Sequence, residues 1–129
     1  MASFKDSMGR EWHININVAA MRRARAKDID LSMAIKQLNQ FVMDDVFLVD
    51  ALYAICKPDL DSKGISLEQF EAAFDGVVTE KAREALWAAL EGYYDTGKGK
   101  LLRAAIEMVK AELSKAADTL SDLPDFKAN

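Results

Sequence analysis

Between Val46 and Cys56 the chain carries one charged residue, Asp50, and neither glycine nor proline. A helix that is apolar almost all round belongs in a core, so the segment Val46–Pro58, VFLVDALYAICKP, constrains the fold more than any other. Asp44 or Asp45 is placed to cap its start, and Pro58, lacking an amide hydrogen, is expected to end it. Full burial of Val46, Phe47, Leu48, Val49, Leu52, Tyr53 and Ile55 contributes roughly 1.5–3 kcal/mol per side chain before conformational entropy opposes it. We read the segment as the hub around which the other elements pack. At about 1.5 Å per residue it spans about 18 Å, short of the ~30 Å of a bilayer core.

Upstream, Trp12, Ile14, Ile16 and Val18 alternate with His13, Asn15 and Asn17. This period of two predicts a half-buried strand. Asp6–Gly9 is a turn signal, and Phe4 and Lys5 supply the first strand of a hairpin. A lone hairpin is marginal in water, so it must lie on helices or pair with a strand of another copy. Asn17 caps a short helix with Val18, Met21 and either Ala24 or the Arg25 stem inward, and Arg22, Arg23, Arg25 and Lys27 form a basic cluster. Asp30 caps the next helix, along which Leu31, Ile35, Leu38 and Phe41 or Val42 recur at helical spacing.

Downstream of Pro58, Asp59, Asp61 and Gly64 sit at the spacing of calcium-loop ligands one and three and its glycine. Lys63 at position five and Phe70 at position twelve remove the charge that calcium needs. Ser66–Gln69 reads instead as a capping box opening a helix. That helix carries Leu67, Phe70, Ala73 and Phe74 and ends at Asp75-Gly76. Thr79 caps the next, with Ala82, Leu86, Ala89 or Leu90 and Tyr93 on one face and Trp87 and Tyr94 broadening it. Residues 95–100, DTGKGK, read as a flexible connection, not a phosphate loop, because no strand precedes them. In the last helix, Lys100 to Leu120, the residues Leu102, Ile106, Val109, Leu113, Ala116 and Leu120 are spaced 4, 3, 4, 3, 4. That is just under three heptads, either a core face or a partner-binding or oligomer seam.

The expected architecture is therefore mainly α: a compact bundle of about five to six helices with a short N-terminal β-hairpin. One domain covers residues 1–120, with the hairpin at 3–18 and a flexible tail at 121–129. The length, 129 residues, fits one domain with a real core. Net charge is −4, but residues 1–36 hold seven basic and four acidic residues while residues 37–129 hold ten and seventeen. That asymmetry suits two solvated surfaces, head-to-tail association, or an acidic face for a basic partner.

Chemistry is poorly represented. The single cysteine, Cys56, excludes an internal disulfide and a multi-thiolate metal site. It sits in the most apolar segment, where a thiol packs as a small hydrophobe. The single histidine, His13, falls on the polar face of its strand. We therefore assign no catalytic residue, metal site or cofactor. The MASFKDSMGREW start lacks a signal-peptide core, so a soluble protein made in the cytoplasm is expected, without membrane contact.

The order of landmarks resembles a known family. Phe4, Lys5, Asp6, Gly9, Arg10 and Trp12 match its opening hairpin. Asp30-Leu31, the Leu-Tyr-x-Ile-Cys-x-Pro run of Leu52 to Pro58 and the Gly-Ile-Ser-x-x-Gln-Phe run of Gly64 to Phe70 follow in its order. The match covers roughly residues 4–95 and is similar to small tail assembly chaperones of tailed bacteriophages and prophages. The resemblance implies a non-enzymatic protein of the bacterial host cytoplasm. It implies binding to the long helical tape measure protein, self-association into a homo-oligomer, and no catalytic residues.

On that expectation the partner-binding residues are Leu102, Ile106, Val109, Leu113 and Leu120. The alternatives are a nucleic-acid-binding regulator using Arg22, Arg23, Arg25 and Lys27, or a structural tail or connector subunit of the virion. The basic cluster has no interleaved aromatics and the chain is acidic overall, which weighs against nucleic acid.

Overall fold

The computed structural model describes residues 2–121. It is mainly helical, with six α-helices behind a two-stranded antiparallel hairpin, as expected. The hairpin pairs β1 (Ser3–Lys5) with β2 (Glu11–His13), placing Phe4 opposite Trp12. Its turn is held by one carboxylate. Asp6 accepts bonds from the Met8 and Arg10 amides, from Arg10 Nε at 2.8 Å and from Trp12 Nε1 at 2.9 Å. Gly9 closes the turn at φ +79°, where a side chain is disfavoured.

The ladder is shorter than the alternation suggests. Ile14 is buried and Ile16 half-buried, but Val18 is exposed and already begins helix α1 (Val18–Arg25). Asn17 caps α1 as expected, accepting from the Ala20 amide at 2.8 Å. The fully buried residues of α1 are Ala20 and Ala24; Met21 is half-buried against the core as expected, while Val18 is exposed.

Residues 30–37 do not form the expected α-helix. The Tyr94 hydroxyl donates to the Leu31 carbonyl at 2.5 Å and accepts from the Ala34 amide at 3.1 Å. Those backbone groups are thereby held outside a regular helix, and a 3₁₀ turn at Ala34–Gln37 leads into α2 (Leu38–Met43).

The hub is α3 (Asp45–Lys63), capped by Asp44 and closed by Gly64 at φ +66°. It packs against β2, α1, α2 and two later helices, α4 (Leu67–Ala72) and α5 (Gly76–Tyr93). Val46 stands at its exposed start, outside the core. Pro58 lies inside α3 and does not end it. A proline there leaves the carbonyl four residues back without its amide partner. That carbonyl belongs to Ala54, and Arg23 Nε of α1 donates to it at 2.6 Å, with Nη2 reaching the Ile55 carbonyl at 3.3 Å. Arg23 supplies the bond that proline removes, so the helix continues for five more residues.

The Ser66/Gln69 capping box forms as read. Asp75 is not the end of α4 but the N-cap of α5, accepting from the Val78 amide. Thr79, expected as that cap, is buried and its hydroxyl donates to the Asp75 carbonyl. The DTGKGK stretch is not a flexible connection. Asp95 accepts from the Lys98 amide and α6 runs Thr96–Ser121, so both glycines lie in its first turn. Of the expected tail at 121–129, Ser121 ends α6 and the rest lies outside the described residues.

One contiguous core joins the hairpin to the helices. At one end Trp12 meets Phe70 edge-on at 5.1 Å, and Lys63 lies over the Trp12 ring. At the other, buried Arg83 on α5 donates to the Phe41 carbonyl at 2.9 Å, to Asp45 at 2.6 Å and to Glu80. It thereby ties α2, α3 and α5 together.

Candidate functional site

The C-terminal helix divides into two halves. Its first half lies antiparallel on α5, fixed by Arg103–Glu91 at 2.7 Å and Lys110–Glu84 at 3.2 Å. There Leu102 and Ile106 are buried in the chain's own core. This corrects their assignment to a partner face, because a side chain already covered has no surface left to offer. Val109 is half-buried at the boundary. Every residue from 110 to 121 is exposed, a projection about 18 Å long at ~1.5 Å per residue. Leu113 and Leu120 continue the core stripe onto this projection and stand 37% and 45% exposed. The expected partner face therefore reduces to Leu113 and Leu120, with Val109 at its inner end.

Sequence reasoning also missed two exposed apolar residues away from this face. Leu101 and Met108 are 55% and 71% exposed on another side of α6. Their spacing of seven was the available signal, hidden beside the stronger stripe.

The basic cluster does not act as a unit. Arg23 turns inward to the Ala54 and Ile55 carbonyls, while Arg22, Arg25 and Lys27 stay exposed. Tyr53, an aromatic beside them, has Lys27 over its ring at 5.4 Å and Lys57 at 5.9 Å. The chain's own ammonium groups take the place a stacked base needs.

The expected open edge of the hairpin is also covered. The Glu11 carbonyl accepts from Lys63 Nζ at 3.0 Å and the His13 carbonyl from Cys56 Sγ at 3.9 Å, while β1 runs beside α5. The hairpin lies on its own helices and leaves little edge for a strand from another copy.

The displaced ionisable groups are all held in structural bonds. Burial raises the Asp6 pKa, but the bonds from Trp12, Arg10 and the Arg10 and Met8 amides outweigh it and hold the carboxyl below its ordinary value. The Ser32 hydroxyl, followed by the Met33 and Ser32 amides, lowers Asp30 in the same way against burial. Burial, then the Asp59 carboxylate, push the Cys56 thiol up to about 12. Burial likewise raises Tyr94. Among the described residues no three His, Cys, Asp or Glu side chains are grouped as a metal site would require, and no helix is long and apolar enough to cross a membrane.

A groove of about 250 Å³ opens where α3, α4 and α5 meet, lined by Asp45, Val46, Val49, Glu71, Phe74 and Asp75. Its floor is apolar and its rim acidic. Sequence reasoning missed it because residues 45–49 and 71–79 are distant in the chain.

No protein-family model, curated protein or solved structure matches this chain.

Proposed function

We propose that this chain is a non-enzymatic tail assembly chaperone of a tailed bacteriophage or prophage. It acts in the bacterial cytoplasm, binds the tape measure protein along its C-terminal helix, and self-associates. The observation that carries this reading is the second half of α6. About three turns of helix extend past the core, and their apolar stripe, Leu113 to Leu120, continues the core stripe but is left exposed among the described residues. Such a stripe suits a long helical partner through the i, i+3, i+7 contacts of helix pairing.

The residues that carry the family resemblance support the same body. Asp6, Gly9, Arg10 and Trp12 build the hairpin turn, Pro58 sits at the Arg23 contact, and Gly64, Ser66 and Gln69 make the α3–α4 corner. Their roles are structural, as befits a protein that works by presenting a surface.

Co-expression with the tape measure protein of the same genome tests the reading. The partner is expected to move into the soluble fraction and co-purify with the wild-type chain, but not with Leu113→Asp/Leu120→Asp. A partner equally insoluble and unbound in the presence of the wild-type chain overturns it.

A further inference from the structure

We propose that copies of this chain join head to tail, the Val18–Arg22–Arg25 face of α1 on one copy seated in the Asp45–Val46–Phe74 groove of the next. The proposal deepens the self-association part of the proposed function and rests on it.

The groove presents three carboxylates around an apolar floor. Asp45 is paired with Arg83, and one Asp75 oxygen caps α5. Glu71 forms no ion pair among the described residues, so the rim stays negative. Val46 stands 68% exposed at the groove, an apolar contact lacking a partner. On α1, the positions 18, 22 and 25 fall on one side of the helix by the i, i+4, i+7 rule. Val18 is 63% exposed there, and Arg22 and Arg25 are exposed without an ion pair among the described residues. One face therefore offers an apolar anchor beside two cations, and the other an apolar floor beside three carboxylates.

The complement sits on the same chain, so every copy brings one of each. The two surfaces share no residue, which makes the contact heterologous: each joined pair retains one free groove and one free α1. This gives the uneven charge of the sequence, positive over residues 1–36 and negative beyond, a physical use. A contact this small and charged is weak, salt-sensitive and concentration-dependent.

Sedimentation velocity of the full chain tests it. The wild type is expected to grow beyond its 14.3 kDa monomer with concentration at low salt and to return to monomer at high salt. Arg22→Glu/Arg25→Glu and Glu71→Arg are each expected to stay monomeric. Mixed together they are expected to form a heterodimer that grows no further, since one supplies the groove and the other the basic face. Arg22→Ala/Arg25→Ala and Glu71→Gln replace them if charge reversal unfolds either chain. A wild type that assembles equally well with either substitution, or a mixture without heterodimer, overturns this pairing and leaves the proposed function standing. A wild type that is monomeric throughout overturns the pairing and the self-association together, while tape measure binding is read separately by co-purification.

Discussion

At the residue scale, several cations and carboxylates serve as partners of backbone groups that would otherwise be left unpaired. Arg23 is the clearest. A proline inside a helix costs about 3 kcal/mol or more through a lost hydrogen bond and a ring clash, and Arg23 offsets the first by pairing the orphaned carbonyl from α1. Arg23→Met is expected to lower stability by about 1–3 kcal/mol, the cost of stranding a buried acceptor. In a Pro58→Ala background the restored amide bonds Ala54, and the loss should shrink by about 1 kcal/mol or more in a double-mutant cycle read by urea melts.

Asp6 predicts a pH dependence. Its folded pKa lies below the ordinary 3.8. Below 3.8 the unfolded chain takes up the proton first, so this stability is present above that value and is lost as pH falls through the folded pKa. Asp6→Asn should cost about 1.5–3 kcal/mol at neutral pH, as expected for bonds to a charged group. It should also flatten the acid limb of a melting-temperature profile. Cys56, buried with its pKa at about 12, should react with a thiol reagent at pH 8 only at the rate of unfolding.

At the element scale, what was legible in the sequence was local. The Ser66/Gln69 box, the Asn17 and Asp44 caps and the Gly9 turn are each decided within a few residues, and each forms as read. What was not legible depended on distant partners. Pro58 looked like a stop because Arg23 stands 35 positions away in sequence. Residues 30–37 looked helical because Tyr94 is not their neighbour in the chain.

The α6 stripe shows the same limit. Periodicity marks which face of a helix is apolar, but not how far a neighbour extends to cover it. Leu102 and Leu113 read alike in sequence, but Leu102 is 1% exposed and Leu113 37%. Leu102→Ala should therefore destabilise the chain by about 2–5 kcal/mol. Leu113→Ala should stay within about 0.5 kcal/mol in the same denaturant series, as a surface change does.

At the scale of the whole molecule, α3 remains the organiser that its composition announced, but its ends point outward. Its start carries Val46 and Asp45 into the acidic groove, and its C-terminal half accepts from Arg23 of α1 and donates through Lys63 to the Glu11 carbonyl, which fixes α1 and the hairpin. The core thus sets the spacing between three surfaces: the groove, to which the start of α3 contributes, the α1 face and the projecting half of α6. The bundle with its N-terminal hairpin could be foreseen from patterning, whereas the groove could not, because folding assembles it from segments some 25 positions apart.

Amide hydrogen exchange along α6, measured with and without the tape measure protein, tests the central claim most directly. Residues 110–121 should exchange rapidly in the free chain while Leu102 and Ile106 stay protected, because among the described residues no core covers the projecting half. Adding the partner should slow exchange over 110–121 and leave the protected half unchanged. Protection of 110–121 in the dilute free chain, or no change there at saturating partner, contradicts the account.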